Sequence, residues 1–361
     1  MDNIWWSQIA SARRMVDDIS YTLLNNKSIV LVLPESLPWA NDFYENIRRN
    51  LDKGNGNKDI EIIECPKDDV GKYLFDNYCK KEKRNLYRYS KTFATFLGES
   101  DDIVLNNYFI WVHNVSSRKY IEWVNFITDY NLHVKEDNIP AVFVLEMNEK
   151  DLPNKVVRGI KQVIFSKQIS TYDKYTFCTL MASEVNCGEY LQPYLAELVS
   201  SVCANDIELC AECIRRSSDF LKDPMSVLMD IIISSVRSDG SKFIADINKE
   251  VLTSDVWKAQ VRTVFPAIEQ YRIKFVKTYE QQIANILINE KLTKGNDILK
   301  GVEKPIDVEI GTLYFWADTR KLLVNQVEHD RLFKLKEARN DIAHLEILHF
   351  NFVDSILSGR L

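Results

Sequence analysis

Three short, unbroken apolar runs, and a fourth segment interrupted by a carboxylate, all in the first half of the chain, constrain its fold more than any other feature. They are Ser28-Ile-Val-Leu-Val-Leu-Pro34, Ile60-Glu-Ile-Ile-Glu64, Tyr108-Phe-Ile-Trp-Val-His113 and Pro140-Ala-Val-Phe-Val-Leu-Glu146. A continuous run of this length suits a strand covered on both faces, as in a parallel sheet. Helix-period segments lie between them. Residues 1–26 carry Ile4, Ile9, Met15 and Ile19, residues 38–52 carry Trp39, Phe43 and Ile47, and Arg118 to Tyr130 carries Trp123, Phe126 and Ile127. Residues 68–98 read as mostly polar helix, and Asp52 to Asp59 as a loop. Strand and helix alternating at these intervals predict an α/β domain with a mostly parallel sheet. A fifth strand falls either at Val163–Phe165 or at Thr171–Phe177, and the pattern does not choose between them.

From about residue 178 the period changes to that of helices almost throughout. The predicted helical stretches are Tyr190–Ala204, Ile207–Leu221, Pro224–Val236, Val256–Leu287, Ile310–Val324 and His329–Leu357. Breaks are expected at Asp239-Gly240-Ser241, Lys294–Asp297 and Gly301–Pro305. The expectation is an α/β domain over residues 1–178 and an all-helical domain over 179–361. With 46% hydrophobic and 27% charged residues, the chain has the mix of a globular protein, so disorder is excluded as its main state.

The formal net charge of −6 excludes a general nucleic-acid-coating protein but leaves a selective RNA contact open. A Lys/Arg cluster from Lys80 to Lys91 reads as a solvated face. Its functional alternative is a nucleic-acid contact aided by Tyr87 and Tyr89. The seven cysteines are Cys65, Cys79, Cys178, Cys187, Cys203, Cys210 and Cys213. Their odd number and scatter argue against a secreted disulfide framework. The spacing of Cys203, Cys210 and Cys213 would let them share one face of a helix, but no histidine stands near them to complete a zinc set. No metal or cofactor is expected. Met1 to Arg14 lacks the apolar core of a signal, and no run reaches about eighteen apolar residues, so a cytoplasmic protein without a membrane span is expected.

The first apolar run, followed by a helix, stands where a phosphate-binding loop would be. Such a loop needs glycines and a lysine, so that backbone N–H groups and an ammonium can hold phosphates. The chain has Pro34-Glu-Ser-Leu-Pro-Trp-Ala-Asn-Asp42 instead, and Glu35 and Asp42 repel phosphate. The third run ends in His113 and Asn114 rather than in acidic metal ligands. Over residues 20 to 180 the order of elements resembles the core of the AAA/STAND class of P-loop ATPases. The resemblance implies a degenerate copy, without ATP hydrolysis, that serves as a scaffold or sensor.

The densest chemistry lies near the C-terminus, in Lys336-Glu-Ala-Arg-Asn340-Asp-Ile-Ala-His344-Leu345. Arginine offers a fixed fork of donors to phosphate oxygens. Histidine moves protons in either direction near neutral pH. Asn340 can orient either partner or a phosphate. Cleavage of RNA through its own 2′-hydroxyl needs these functions and no metal. On an ideal helix Asn340 and His344 share a face, while Arg339 lies about 140° from His344. The bland alternative is an interhelical hydrogen-bond pair, with His344 joined to Asp341 or to a carbonyl.

The string resembles the motif of the HEPN superfamily of helical domains, over perhaps residues 190–361. Arg339, Asn340 and His344 match its arginine, polar residue and histidine. The neighbours Glu337, Ala338 and Ala343 match the ribonuclease-like subgroup. The resemblance implies catalytic roles for Arg339, Asn340 and His344, and two copies of the motif helix facing one another in a homodimer. It also implies 2′,3′-cyclic phosphate products and a setting in antiviral defence or as a toxin. The N-terminal domain would then be a sensor or the handle for a protein partner. The alternative is a non-catalytic scaffold or regulatory subunit, in which the string only holds the dimer.

Other residues carry more ordinary expectations. His349 is read as packing first and as an auxiliary RNA contact second. Asp330 is read as an N-terminal cap, and Glu309 as a cap that could point toward Arg339. Glu269 and Arg272 are read as an ion pair, with Lys258 and Arg262 as further solvated or interhelical charges. Trp257, Phe265 and Tyr271 are read as core or interface aromatics. Pro266 should kink its helix or mark the true start.

Overall fold

The computed structural model describes residues 4–54, 58–101, 103–153, 160–244, 248–292 and 301–361. The chain divides into two compact units, Met1–Asp173 and Lys174–Leu361. The first is an α/β domain around a five-stranded parallel sheet, and the second is all helical.

In the first unit α1 (Ile4–Gln8) and α2 (Ala10–Leu24) precede β1 (Ile29–Leu33). The helix expected over 1–26 is broken at Ile9, whose φ of −76° and ψ of 116° are extended. There follow α3 (Ala40–Gly54), β2 (Asp59–Glu64), α4 (Val70–Tyr78), α5 (Lys81–Arg84), α6 (Phe93–Glu99), β3 (Tyr108–His113), α7 (Ser117–His133), β4 (Val142–Asn148), β5 (Lys161–Ile164) and α8 (Phe165–Gln168), and then α9 (Thr171–Glu184), most of which belongs to the second unit. The fifth strand is thus the first of the two alternatives, and Thr171–Phe177 is helix.

The strand order is β2-β3-β4-β1-β5. The fully buried β1 lies in the interior between β4 and β5, with Ile29 beside Val144 and Lys161. β2 lies at one edge, where the carboxylates of Asp59, Glu61 and Glu64 discourage further pairing. Val30, Val32, Ile110, Val112, Phe143 and Leu145 face α4, α6 and α7, meeting Leu74, Leu97, Trp123 and Ile127. Alternation turns Trp111, His113 and Glu146 to the opposite face, toward Tyr44 of α3. The Lys80–Lys91 segment is exposed in large part, but Tyr87 stacks on Phe93 at 4.8 Å and so is not a free platform. Tyr89 is exposed.

The second unit contains α10 (Gln192–Val202), α11 (Ile207–Arg215), α12 (Ser217–Phe220), α13 (Pro224–Ser234), α14 (Lys249–Thr278), α15 (Glu280–Leu292), α16 (Ile310–Asp318), α17 (Gln326–Ala343) and α18 (Phe350–Leu357). α14 is its axis and packs against α10, α17 and α18. Its length corrects two expectations. It begins at Lys249, capped by Asn248, and Pro266 lies inside it rather than at its start. The stretch Val256–Leu287 is two helices, because the chain leaves the helix at Tyr279. Likewise His329–Leu357 is broken between His344 and His349. The turn at Asp239–Ser241 forms as expected, with Gly240 at φ +83°. The expected break at Lys294–Asp297 lies outside the described residues. Cys79, Cys178, Cys203, Cys210 and Cys213 are buried free thiols, and Cys65 and Cys187 are half-buried.

No helix among the described residues is long and apolar enough to cross a membrane.

Candidate active site

The helix that carries the motif starts three residues earlier than the sequence suggests. Asn325 caps α17 by accepting from the Glu328 N–H at 2.8 Å, so Asp330 is not the cap. Asp330 instead accepts from Gln326 one turn back. Leu332, Leu335, Ala338 and Ile342 bury one stripe of the helix.

The C-terminus of α17 decides where His344 stands. His344 is the C-cap. The Leu345 N–H donates to the Ile342 carbonyl at 3.3 Å, and the Glu346 N–H donates to the Asp341 carbonyl at 2.9 Å. This pair of bonds is a Schellman ending, which normally uses glycine in the left-handed position. Here Leu345 occupies it at φ +66°. A side chain in that region costs on the order of 1 kcal/mol.

α14 clamps both ends of the turn that follows. The Trp257 indole N–H donates to the Ile342 carbonyl at 2.7 Å. Gln260, itself buried, donates to the Leu348 carbonyl at 2.9 Å and accepts from the Leu348 N–H at 2.8 Å. His344 therefore sits in a tight loop fixed at Ile342 and Leu348. Trp257 was expected as a core aromatic. Gln260 was not anticipated, because a glutamine in a polar helical pattern carries no signal that it is buried.

Arg339 points toward α16. Its Nη2 donates to Glu309 Oε2 at 2.8 Å, as its position before that helix allowed. Arg272 holds the segment leading to Glu309. It pairs with Glu269 at 2.8 Å and donates to the carbonyls of Ile306 and Val308 at 2.6 and 3.0 Å. Lys258 pairs with Asp255 at 2.8 Å, and Arg262 with Glu197. His344 is exposed and Asn340 half-buried, and neither side chain is hydrogen-bonded to any described residue. The alternative pairing of His344 with Asp341 does not form. Nor does the Arg339 guanidinium reach His344 within hydrogen-bonding distance. The single chain thus presents three polar groups over the end of one helix, with the arginine held by an exposed carboxylate. His349, expected to pack, is exposed.

The carboxyl edge of the sheet is arranged differently. Glu146 Oε2 accepts from the Tyr44 hydroxyl at 3.0 Å and the Trp111 indole at 2.9 Å, and Glu146 Oε1 lies 2.9 Å from His113 Nδ1. The hydrogen bond to Glu146 raises the His113 pKa against the opposing effect of burial. Burial, reinforced by Glu146, pushes the Tyr44 phenol well up. Asn114, at φ +58°, donates to Glu64 at 2.9 Å, and Glu35 is paired with Lys150. Adjacent strands β1 and β4 lead off in opposite directions along the sheet, so this edge is the switch point where such folds bind ligands. Here aromatic and carboxylate side chains close it, and Asp42 stands in the first turn of α3.

Among the described residues no group of three or more His, Cys, Asp or Glu is placed to hold a metal ion. No protein-family model and no curated protein sequence matches this chain.

Proposed function

We propose that the helical unit is a metal-independent endoribonuclease of the HEPN type. The observation that carries the reading is the presentation of His344. It is exposed, free of partners among the described residues, and fixed at a clamped helix end, five residues after an arginine whose only partner there is the exposed carboxylate of Glu309. A histidine serving only to join helices would be buried against its own core.

The chemistry follows from the groups. The ribose 2′-oxygen attacks the adjacent phosphorus as an imidazole removes its proton. The bond to the 5′-oxygen breaks, and that oxygen takes a proton. The products are a 2′,3′-cyclic phosphate and a 5′-hydroxyl. Arg339 balances the charge gathering on the phosphoryl oxygens once it leaves or shares Glu309, and Asn340 orients the phosphate. One chain supplies one histidine, and the two proton transfers are met most simply by two motif helices facing each other. Phe315, Leu323, Val327 and Phe333 leave exposed apolar surface on and between α16 and α17, a face suited to a second copy.

The N-terminal unit is read as a regulatory handle for a protein partner, because its switch-point edge is closed by Tyr44, Trp111 and Glu146. The same feature favours the second reading, a scaffold without catalysis. Cleavage of labelled RNA in EDTA, beside Arg339→Ala and His344→Ala with oligomeric state measured on the same samples, separates the two. Loss of cleavage in both variants with the dimer intact supports the nuclease. Cleavage that persists in both removes the assigned site, and an inert wild-type protein moves the weight to the scaffold.

A further inference from the structure

The loop that leaves the motif helix also forms one wall of a cavity of about 400 Å³. The opposite walls come from the turn entering α13 and from the first turns of α14. Met225, Leu252 and Phe350 supply apolar surface, while Lys222, Lys249 and His349 bring nitrogen groups to it. All three are exposed, and none of their side chains has a hydrogen bond or ion pair with any described residue. Two other strong polar groups of the cavity are engaged in part or in full. Asp223 accepts from the Ser226 N–H at 3.0 Å as the cap of α13, and Gln260 uses both amide atoms on Leu348. What remains is mostly donor and cationic, two ammonium groups and an imidazole against the second carboxylate oxygen of Asp223. The first turn of α18 also borders the space and adds the partial positive charge of a helix N-terminus, whereas that of α13 is offset by Asp223.

We propose that this cavity binds a nucleoside monophosphate, either free or as one nucleotide of an RNA strand. The volume lies within the range of small-molecule sites, roughly 300–1,000 Å³. Two ammonium groups and an imidazole match a phosphate, and an apolar floor with an aromatic ring matches the flat face of a base. A bare inorganic anion would leave the apolar floor unused. An acyl carboxylate would carry too little charge for three nitrogen groups. The site does not include Arg339, Asn340 or His344, so it stands apart from the nuclease reading.

The test is calorimetric titration of the full chain with the four nucleoside monophosphates, with inorganic phosphate, and with a short 2′-O-methyl RNA that cannot be cleaved. At least one nucleotide should bind, and at least tenfold tighter than phosphate. Lys222→Ala combined with Lys249→Ala should weaken that binding at least tenfold while leaving thermal unfolding unchanged. Phe350→Leu should weaken the nucleotide more than phosphate. If the 2′-O-methyl RNA displaces the monophosphate, the natural ligand is a strand; if it does not, it is a free nucleotide. Absence of nucleotide binding, binding no tighter than phosphate, or binding untouched by the double substitution would overturn the proposal.

Discussion

Replacing Gln260 with leucine tests whether the loop carrying His344 is held from α14. Gln260 is 1% exposed, and it makes two bonds to one residue, at 2.9 Å to the Leu348 carbonyl and 2.8 Å from the Leu348 N–H. Leucine has similar bulk but neither donor nor acceptor, so both backbone groups are left buried and unsatisfied. Each such group costs about 1–3 kcal/mol, and partial relaxation toward solvent puts the pair at about 2–4 kcal/mol. Gln260→Glu is the internal control. Its carboxylate still accepts from the Leu348 N–H but cannot donate to the carbonyl, so the hydrogen-bond loss is confined to one side while a buried charge is added. Chemical denaturation gives the stability change, and amide exchange over residues 342–350 shows where it acts. The expected result is faster exchange localised to this loop, with a parallel fall in any RNA cleavage. If Gln260→Leu stays within about 0.5 kcal/mol of the parent, the range of an ordinary surface substitution, the clamp does not exist as described.

Leu345→Gly should stabilise the helical unit by about 0.5–1 kcal/mol, since the residue is exposed and held at φ +66°; denaturation that shows a loss instead refutes the strain argument. Arg237→Leu should destabilise by about 3–5 kcal/mol, because the buried guanidinium faces Asp206 at 2.5 Å and Glu208 at 3.8 Å, and its removal leaves the two carboxylates with only the neutral donors of Leu209 and Ser238. A neutral outcome in thermal unfolding would show that water reaches that pair. His113 has a raised pKa through its bond to Glu146, so its contribution is complete below the unfolded value of about 6.5 and is lost as pH rises through the higher folded value. Stability of the α/β unit, followed by denaturation across this range, should decline with rising pH, and His113→Gln should flatten that decline.

The parts of the fold legible in the sequence were those written as local pattern. β1, β3 and β4 are continuous apolar runs, and the structure buries them as such. β5 was ambiguous because Lys161–Ile164 is only four residues long and opens on an exposed lysine, while Thr171–Phe177 is rich in β-branched and aromatic residues; it is the start of a helix that buries Lys174, Phe177, Cys178 and Met181 at helical spacing. Pro266 misled because proline removes one helical donor, and a long helix packed along its length tolerates that loss. At the candidate site, the Arg339–His344 string and the approach of Glu309 were legible. The clamp was not, since Gln260 and Leu348 are distant in sequence and meet only through the packing of α14 against the C-terminal segments.

The place of β1 in the sheet has a consequence for how the protein is made. Its apolar strand emerges early from the ribosome, but Ile29 pairs with Val144 and Lys161, which are synthesised far later. At about 5–20 residues per second, the interval is on the order of ten seconds. For that time the segment Ile29–Leu33 has no partner strand on either side. Chains arrested before β4 should therefore engage holding chaperones or aggregate, and slowing translation between residues 34 and 142 should lower the yield of folded protein more than slowing it after residue 174.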